Sequence, residues 1–194
     1  MGACVGPERL PKAKKEDERL GESSVLVWGE GQQGQLGIGQ RAACLQPFSL
    51  PALAGVMITG ISCGMEHVAF LSDAGGVYVT GSGDGFRLGT GSTDHCWTPT
   101  LLPFSEEKPV IQVACGDTFT LFLTRKVTPT PEGLISKGRV GRGTIHSCGT
   151  SKNGALGLRE KTCTRTPERL GLMSITKVVC GSKHSAALTR TPLP

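Results

Sequence analysis

One pattern of glycines and apolar residues recurs at a fixed spacing, and that spacing limits the fold more than any local motif. Gly81, Gly83, Leu88, Gly89 and Gly91 each stand 52 residues after Gly29, Gly31, Leu36, Gly37 and Gly39. The register continues from Pro47 to Pro99, Leu50 to Leu102, Ile58 to Val110, Cys63-Gly64 to Cys115-Gly116 and Leu71 to Leu123. A weaker third copy runs through Gly149, Pro167, Leu170, Ile175, Cys180-Gly181, His184 and Leu188. Its first half lies 68 residues after the second copy, so a 16-residue insertion separates "LFLT" at 121–124 from Ile145. Self-similarity at about 50 residues marks a propeller or a stacked array.

Each unit reads as short strands. "VLVW", "VYVT" and "TIHSC" form one strand type. "GISCGMEHVAFLS", "QVACGDTFTLFLT" and "KVVCGSKHSAALT" read as strand, Gly-centred turn and strand, with "GQLG"-type turns and a Pro-containing connection between them. No segment holds a helical apolar period over a dozen residues, so few helices are expected. Glycine supplies 28 of 194 residues, about twice ordinary usage. The expectation is an all-β chain whose blades are four-stranded antiparallel sheets.

Three features resemble the repeat of the regulator of chromosome condensation family: "VWGEGQQGQLGIG", the Pro-x-x-Leu connection, and "ISCGMEHVAFLSDAGGVYVTG". The resemblance covers 25–124 well and 145–190 less well. It implies a seven-bladed propeller of which this chain carries about three repeats, roughly 25–76, 77–124 and 145–190, in a domain over 24–190. Residues 1–23 are expected to form a disordered polar lead, 125–144 a basic insertion, and 191–194 a tail. Family members include exchange factors for a small nuclear GTPase, chromatin binders, and propeller modules of ubiquitin ligases and trafficking proteins, so the fold leaves function open. Three repeats leave open sheet edges. The chain is expected either to be a fragment or splice form of a longer propeller or to self-associate.

No cofactor is expected. Gly29, Gly31 and Gly34 have dinucleotide-fingerprint spacing after an apolar run, but that motif needs a helix facing the pyrophosphate and an acidic residue about 20 positions on. Gly37 and Gly39 interrupt any such helix, and no carboxylate stands between Glu30 and Glu66. "GTSKNGA" at 149–155 has P-loop glycine spacing, but Ala155 and Leu156 replace the Lys and Ser/Thr.

No catalytic centre or metal site is expected either. Of eight cysteines, Cys63, Cys115 and Cys180 share one repeat column, Cys44 and Cys96 another, with Cys163 one residue from it. Equivalent positions in neighbouring blades are too far apart for disulfides, so reduced, buried thiols are expected. Cys63/His67 and Cys180/His184 are spaced as metal ligands, but Phe119 takes the His slot in the second copy. His67 and His184 are expected to make the same hydrogen bond within a blade. Histidines that recur with the blade do not form a nucleophile–base–acid set. The chain shows no apolar run long enough to span a membrane and no apolar signal-peptide core at its start. An intracellular protein, cytoplasmic or nuclear, is expected.

Charge is divided unevenly. Residues 1–124 hold 8 Lys and Arg against 13 Asp and Glu, whereas 125–194 hold 13 against 3. The insertion "RKVTPTPEGLISKGRVGRGT" opens the basic half, and Lys137, Arg139 and Arg142 are the candidate partner-binding residues. They suit carboxylate or phosphate contacts. The expected function is non-enzymatic protein interaction, as scaffold or regulator. The alternative is guanine-nucleotide exchange on a small GTPase, with chromatin or nucleic acid as a further partner.

Overall fold

Antiparallel pairing between neighbours in sequence builds almost the whole structure. The computed structural model describes residues 24–125 and 143–190. Within them lie β1 (Leu26–Gly29), β2 (Cys44–Ser49), β3 (Ile58–Cys63), β4 (His67–Ser72), β5 (Val77–Gly81), β6 (Cys96–Leu101), β7 (Val110–Cys115), β8 (Phe119–Arg125), β9 (Gly143–Thr150), β10 (Cys163–Arg169), β11 (Ile175–Cys180) and β12 (Ser185–Thr189). The helical content is α1 (Pro103–Glu107) and two single 3₁₀ turns. The all-β expectation holds.

Strands β3-β4-β5-β6 form one antiparallel sheet and β7-β8-β9-β10 a second. Their central registers match: Val68 faces Thr80 as Thr120 faces Cys148. β1 and β2 repeat β5 and β6, with Gly29 opposite Cys44 as Gly81 is opposite Cys96. β11 and β12 repeat β3 and β4, with Cys180 opposite Ser185 as Cys63 is opposite Val68. The twelve strands therefore make two whole blades, preceded by the outer half of a blade and followed by the inner half of another. β3, β7 and β11 touch in succession and form the inner wall. A single bridge, Ile175 to Gly143, joins β11 to the second blade's sheet.

The core lies between blades. Leu36, Leu50 and Leu53 of the first half-blade region pack on Val68 and Phe70. Ala69, Leu71, Val77 and Val79 pack on Val113, Phe122 and Cys148. Leu121, Leu123 and Ile145 pack on Ile175 and Val178. β4 is buried throughout because alternate side chains feed two different cores, Val68 and Phe70 on one face and Ala69 and Leu71 on the other. A strand covered on both faces reads as a continuous apolar run.

The Pro-containing segments are not connections. Pro47, Pro99 and Pro167 lie inside the outermost strands β2, β6 and β10, each at or beside a break in register with the neighbouring strand. Proline donates no ladder hydrogen bond, so an edge strand with an irregularity is where it fits.

Candidate partner-binding surface

Each blade presents two ends, and different sequence features build them. At one end lie the turns from β3 to β4, β7 to β8 and β11 to β12, together with the glycine-rich loops after β5 and β9. The turn glycine is required by a close approach. A Cβ on Gly64, Gly116 or Gly181 would strike the ring of His67, Phe119 or His184 three residues later. The Cys-Gly-x-x-His spacing that resembles a metal pair is thus a ring lying over a glycine. Among the described residues, no group of three or more His, Cys, Asp or Glu is placed to hold a metal.

Arg87 organises this end. It is 6% exposed. Its Nη1 donates to Glu66 Oε2 at 2.8 Å and to the Asp117 carbonyl at 3.2 Å, and its Nε donates to the Asp84 carbonyl at 2.9 Å. Asp117 in turn accepts from the Ser182 hydroxyl. Three successive turns are therefore tied through one guanidinium and one carboxylate.

His67 works across blades, not within one as expected. Its Nε2 lies 2.8 Å from Thr120 Oγ1. The Thr120 proton is donated to the Arg87 carbonyl at 2.7 Å, so Nε2 must be the donor to Thr120. Burial, then the Arg87 charge, pushes the His67 pKa down to about 3, with Asp117 pulling the other way. His184, in the same column, is exposed on the last half-blade.

The opposite end carries α1, the β4–β5 turn and the root of the insertion. Arg125 pairs with Gly143 in register, so the two described residues that flank the insertion lie side by side on the second blade. Exposed Lys108, Arg125 and Arg169 stand on the elements at this end. His146, the departure from the apolar strand pattern, packs here with its ring 4.8 Å from Phe104. Burial, then Lys108 and Arg169, lowers its pKa to about 4. Lys137, Arg139 and Arg142 lie outside the described residues, as do the lead 1–23 and the tail 191–194. Lys108 and Arg169 are surface cations that the repeat pattern could not bring together, because they come from opposite sides of the insertion.

None of the seven described cysteines is in a disulfide. Cys44, Cys115 and Cys148 are buried as expected, but Cys63 and Cys163 are exposed. Cys163 lost the buried position because Thr164 occupies the column opposite Gly149.

The blades, their inter-blade cores and the recurring turn glycines define a segment of β-propeller. The regulator of chromosome condensation (RCC1) repeat model matches residues 22–71, 74–123 and 142–188, and the chain belongs to that family. It is 33% identical over 172 residues to mouse E3 ubiquitin-protein ligase HERC2, covering 88% of this chain and 3% of that protein. To the ultraviolet-B receptor UVR8 of Arabidopsis thaliana it is 32% identical, covering 85% of this chain and 35% of the receptor. To the mouse secretion-regulating guanine nucleotide exchange factor it is 30% identical, covering 90% and 35%. Yeast Prp20p, described with its binding to Gsp1p and histones, superposes with a TM-score of 0.67 at 23% identity, over 84% of this chain and 39% of that one. The chain spans no more than 39% of the length of any of these proteins.

Proposed function

We propose that the chain is a non-enzymatic protein-interaction module that docks an acidic protein surface at the blade end bearing the insertion. One observation supports the reading: Arg125 and Gly143, the described residues on either side of the insertion, pair on the end that also bears Lys108 and Arg169. Exposed cations steer an acidic partner and are screened by salt. An intracellular setting, cytoplasmic or nuclear, belongs to the same proposal and agrees with the free thiols.

A second reading is guanine-nucleotide exchange on a small GTPase, supported by the 30% identity to an exchange factor across 90% of this chain. Exchange requires tighter binding of the nucleotide-free GTPase, not a catalytic triad. One assay separates the two: mix the chain with small GTPases loaded with fluorescent GDP, and measure both complex formation and release. Complexes without accelerated release support the module, and accelerated release supports exchange. In either case Lys137→Ala, Arg139→Ala and Arg142→Ala together should slow association at low salt and leave folding intact. Unchanged association at low salt would rule out the basic surface.

A further inference from the structure

The outer strand β10 carries threonines in two different states. Thr164 is buried, and its Oγ1 donates to the Ser147 carbonyl at 3.2 Å. Thr166, two positions on, is exposed. Its methyl lies 3.6 Å from where a Cβ on Gly91 would stand, and no other heavy atom comes within 4 Å of that point. Among the described residues its hydroxyl has no hydrogen-bond partner. Thr164 holds the blade together, whereas nothing in the fold uses the Thr166 hydroxyl.

The backbone at Thr166 stands clear of the ladder. Thr164 faces Gly149 and Glu168 faces Ser147, so Arg165, Thr166 and Pro167 span a break in register against β9. Among the described residues the other edge of β10 pairs with no strand. Pro167 has no N–H and holds the residue before it extended. A hydroxyl on an extended, bulged and unpaired edge suits a cleft that takes its substrate as a strand. The exposure recurs where both neighbours are present: Thr98 holds the same column on β6, has further blade on either side, and is exposed too.

The flanking residues add selectivity. Of the threonines followed by proline, Thr98, Thr128, Thr130, Thr166 and Thr191, only Thr166 has a basic residue three positions later, Arg169. Arg169 is exposed. The carboxylate between them, Glu168, is engaged by Lys161, whose Nζ lies 2.5 Å from its Oε2. Arg169 is therefore presented beside a carboxylate that already has a partner.

We propose that Thr166 is a phosphorylation site for a proline-directed serine/threonine protein kinase whose substrate cleft bears carboxylates for the cation three residues on. Thr166 Oγ1 attacks the γ-phosphorus of ATP, the bond from that phosphorus to the β,γ-bridging oxygen breaks, and ADP leaves. The hydroxyl proton passes to the kinase's catalytic aspartate. The product is a phosphomonoester with a charge of about −2. It stands no more than roughly 10 Å along the strand from Arg169, within about a Debye length at 0.1 M salt. Arg169 belongs to the cationic end proposed above as the docking surface. On that reading, phosphorylation weakens the docking of an acidic partner.

The test uses the full, folded chain with ATP and a purified proline-directed kinase that selects a basic residue three positions after the acceptor. Mass spectrometry should place one phosphoryl group on Thr166. Thr166→Ala should abolish it and Thr98→Ala should leave it intact. Arg169→Ala should slow it about tenfold, the weight of one charge-assisted contact. An unmodified Thr166 in the folded chain, while a peptide of residues 162–172 is a good substrate, would overturn the proposal, because the fold then hides the site. Labelling of Thr98 at the same rate would overturn it as well. The docking consequence is read separately, as binding of poly-glutamate at low salt, which should weaken several-fold on phosphorylation. Equal binding by modified and unmodified chains, with Lys137→Ala/Arg139→Ala/Arg142→Ala still weakening it, would remove the regulatory consequence and keep the docking reading. Poly-glutamate binding to neither chain would remove the docking reading and keep the site.

Discussion

Gln112 on β7 grips Val178 on β11 by both of its backbone polar groups. Its Nε2 donates to the Val178 carbonyl at 2.7 Å, and its Oε1 accepts from the Val178 N–H at 2.9 Å. A side chain here imitates strand pairing and adds to the single bridge from Ile175 to Gly143 between these blades. The equivalent position in the first blade is Gly60, which offers no such grip. Gln112→Ala should cost about 1–2 kcal/mol. The loss should be local: amide exchange should accelerate in β11 and β12 before β3–β6, and uniform acceleration would contradict the assignment.

Arg87 should be the most costly polar side chain to remove at the turn end. Arg87→Ala unpairs Glu66 and strands the Asp84 and Asp117 carbonyls. Glu66 is 30% exposed at its side chain, so the ion pair itself contributes little. The two part-buried hydrogen bonds from a charged donor to carbonyls dominate, and the expected loss is about 2–4 kcal/mol by urea unfolding. Arg87→Lys should not restore it, because one ammonium cannot reproduce the fork. Full rescue by Lys would sink this account.

Acid should destabilise the fold through His67. The unfolded residue takes up its proton near pH 6.5, the folded one only near 3. Protons therefore favour the unfolded chain, so the stability is fully present above about pH 6.5 and is lost as pH falls toward 3. The slope approaches about 1.4 kcal/mol per pH unit for one such group. His146, lowered to about 4, adds in the same direction. His67→Phe copies the residue found at Phe119 and should reduce the acid sensitivity measured by chemical unfolding between pH 6.5 and 3. An unchanged pH slope would show that His67 titrates elsewhere.

Two glycines with different surroundings should respond differently to the same added methyl. At Gly116 a Cβ collides with the Phe119 ring, whereas at Gly171 it meets open space. Gly116→Ala should cost about 1–3 kcal/mol. Gly171→Ala should stay within about 0.5 kcal/mol of wild type. Equal shifts in melting temperature would remove the packing explanation for the turn glycine.

Thiol chemistry should follow burial. Burial pushes the Cys115 pKa up to about 12 and raises that of Cys148 as well. Alkylation of the native chain, mapped by mass spectrometry, should therefore label Cys63 and Cys163 before Cys115 and Cys148. Early labelling of Cys148 would mean that the second core opens readily.

The spacing of 52 residues was enough to read the strands, because each blade imposes the same apolar columns at Val27 and Val79 or at Leu71 and Leu123. It could not give the phase. A periodic sequence looks the same wherever the unit is cut, and the break between 76 and 77 falls at the β4–β5 turn, inside a blade. The prolines were misplaced because their signature is shared by loops and by irregular edge strands. The inter-blade partners were invisible for a different reason. Gln35, Arg87 and Ala155 share a column, and their carbonyls accept from Thr80, Thr120 and Ser185 in the following blade. A backbone acceptor leaves no residue preference behind.

Because each whole blade takes its inner and outer strands from consecutive repeats, the repeats overlap the blades like courses of brick. Duplicating or deleting one unit changes the number of blades without altering a single strand register, since every new junction recreates the β4–β5 hairpin. The same stagger denies any repeat an independent fold: its first strands complete one blade and its last begin another. Length can vary freely in such a molecule, but it must vary in whole courses, and no course stands without the one beside it.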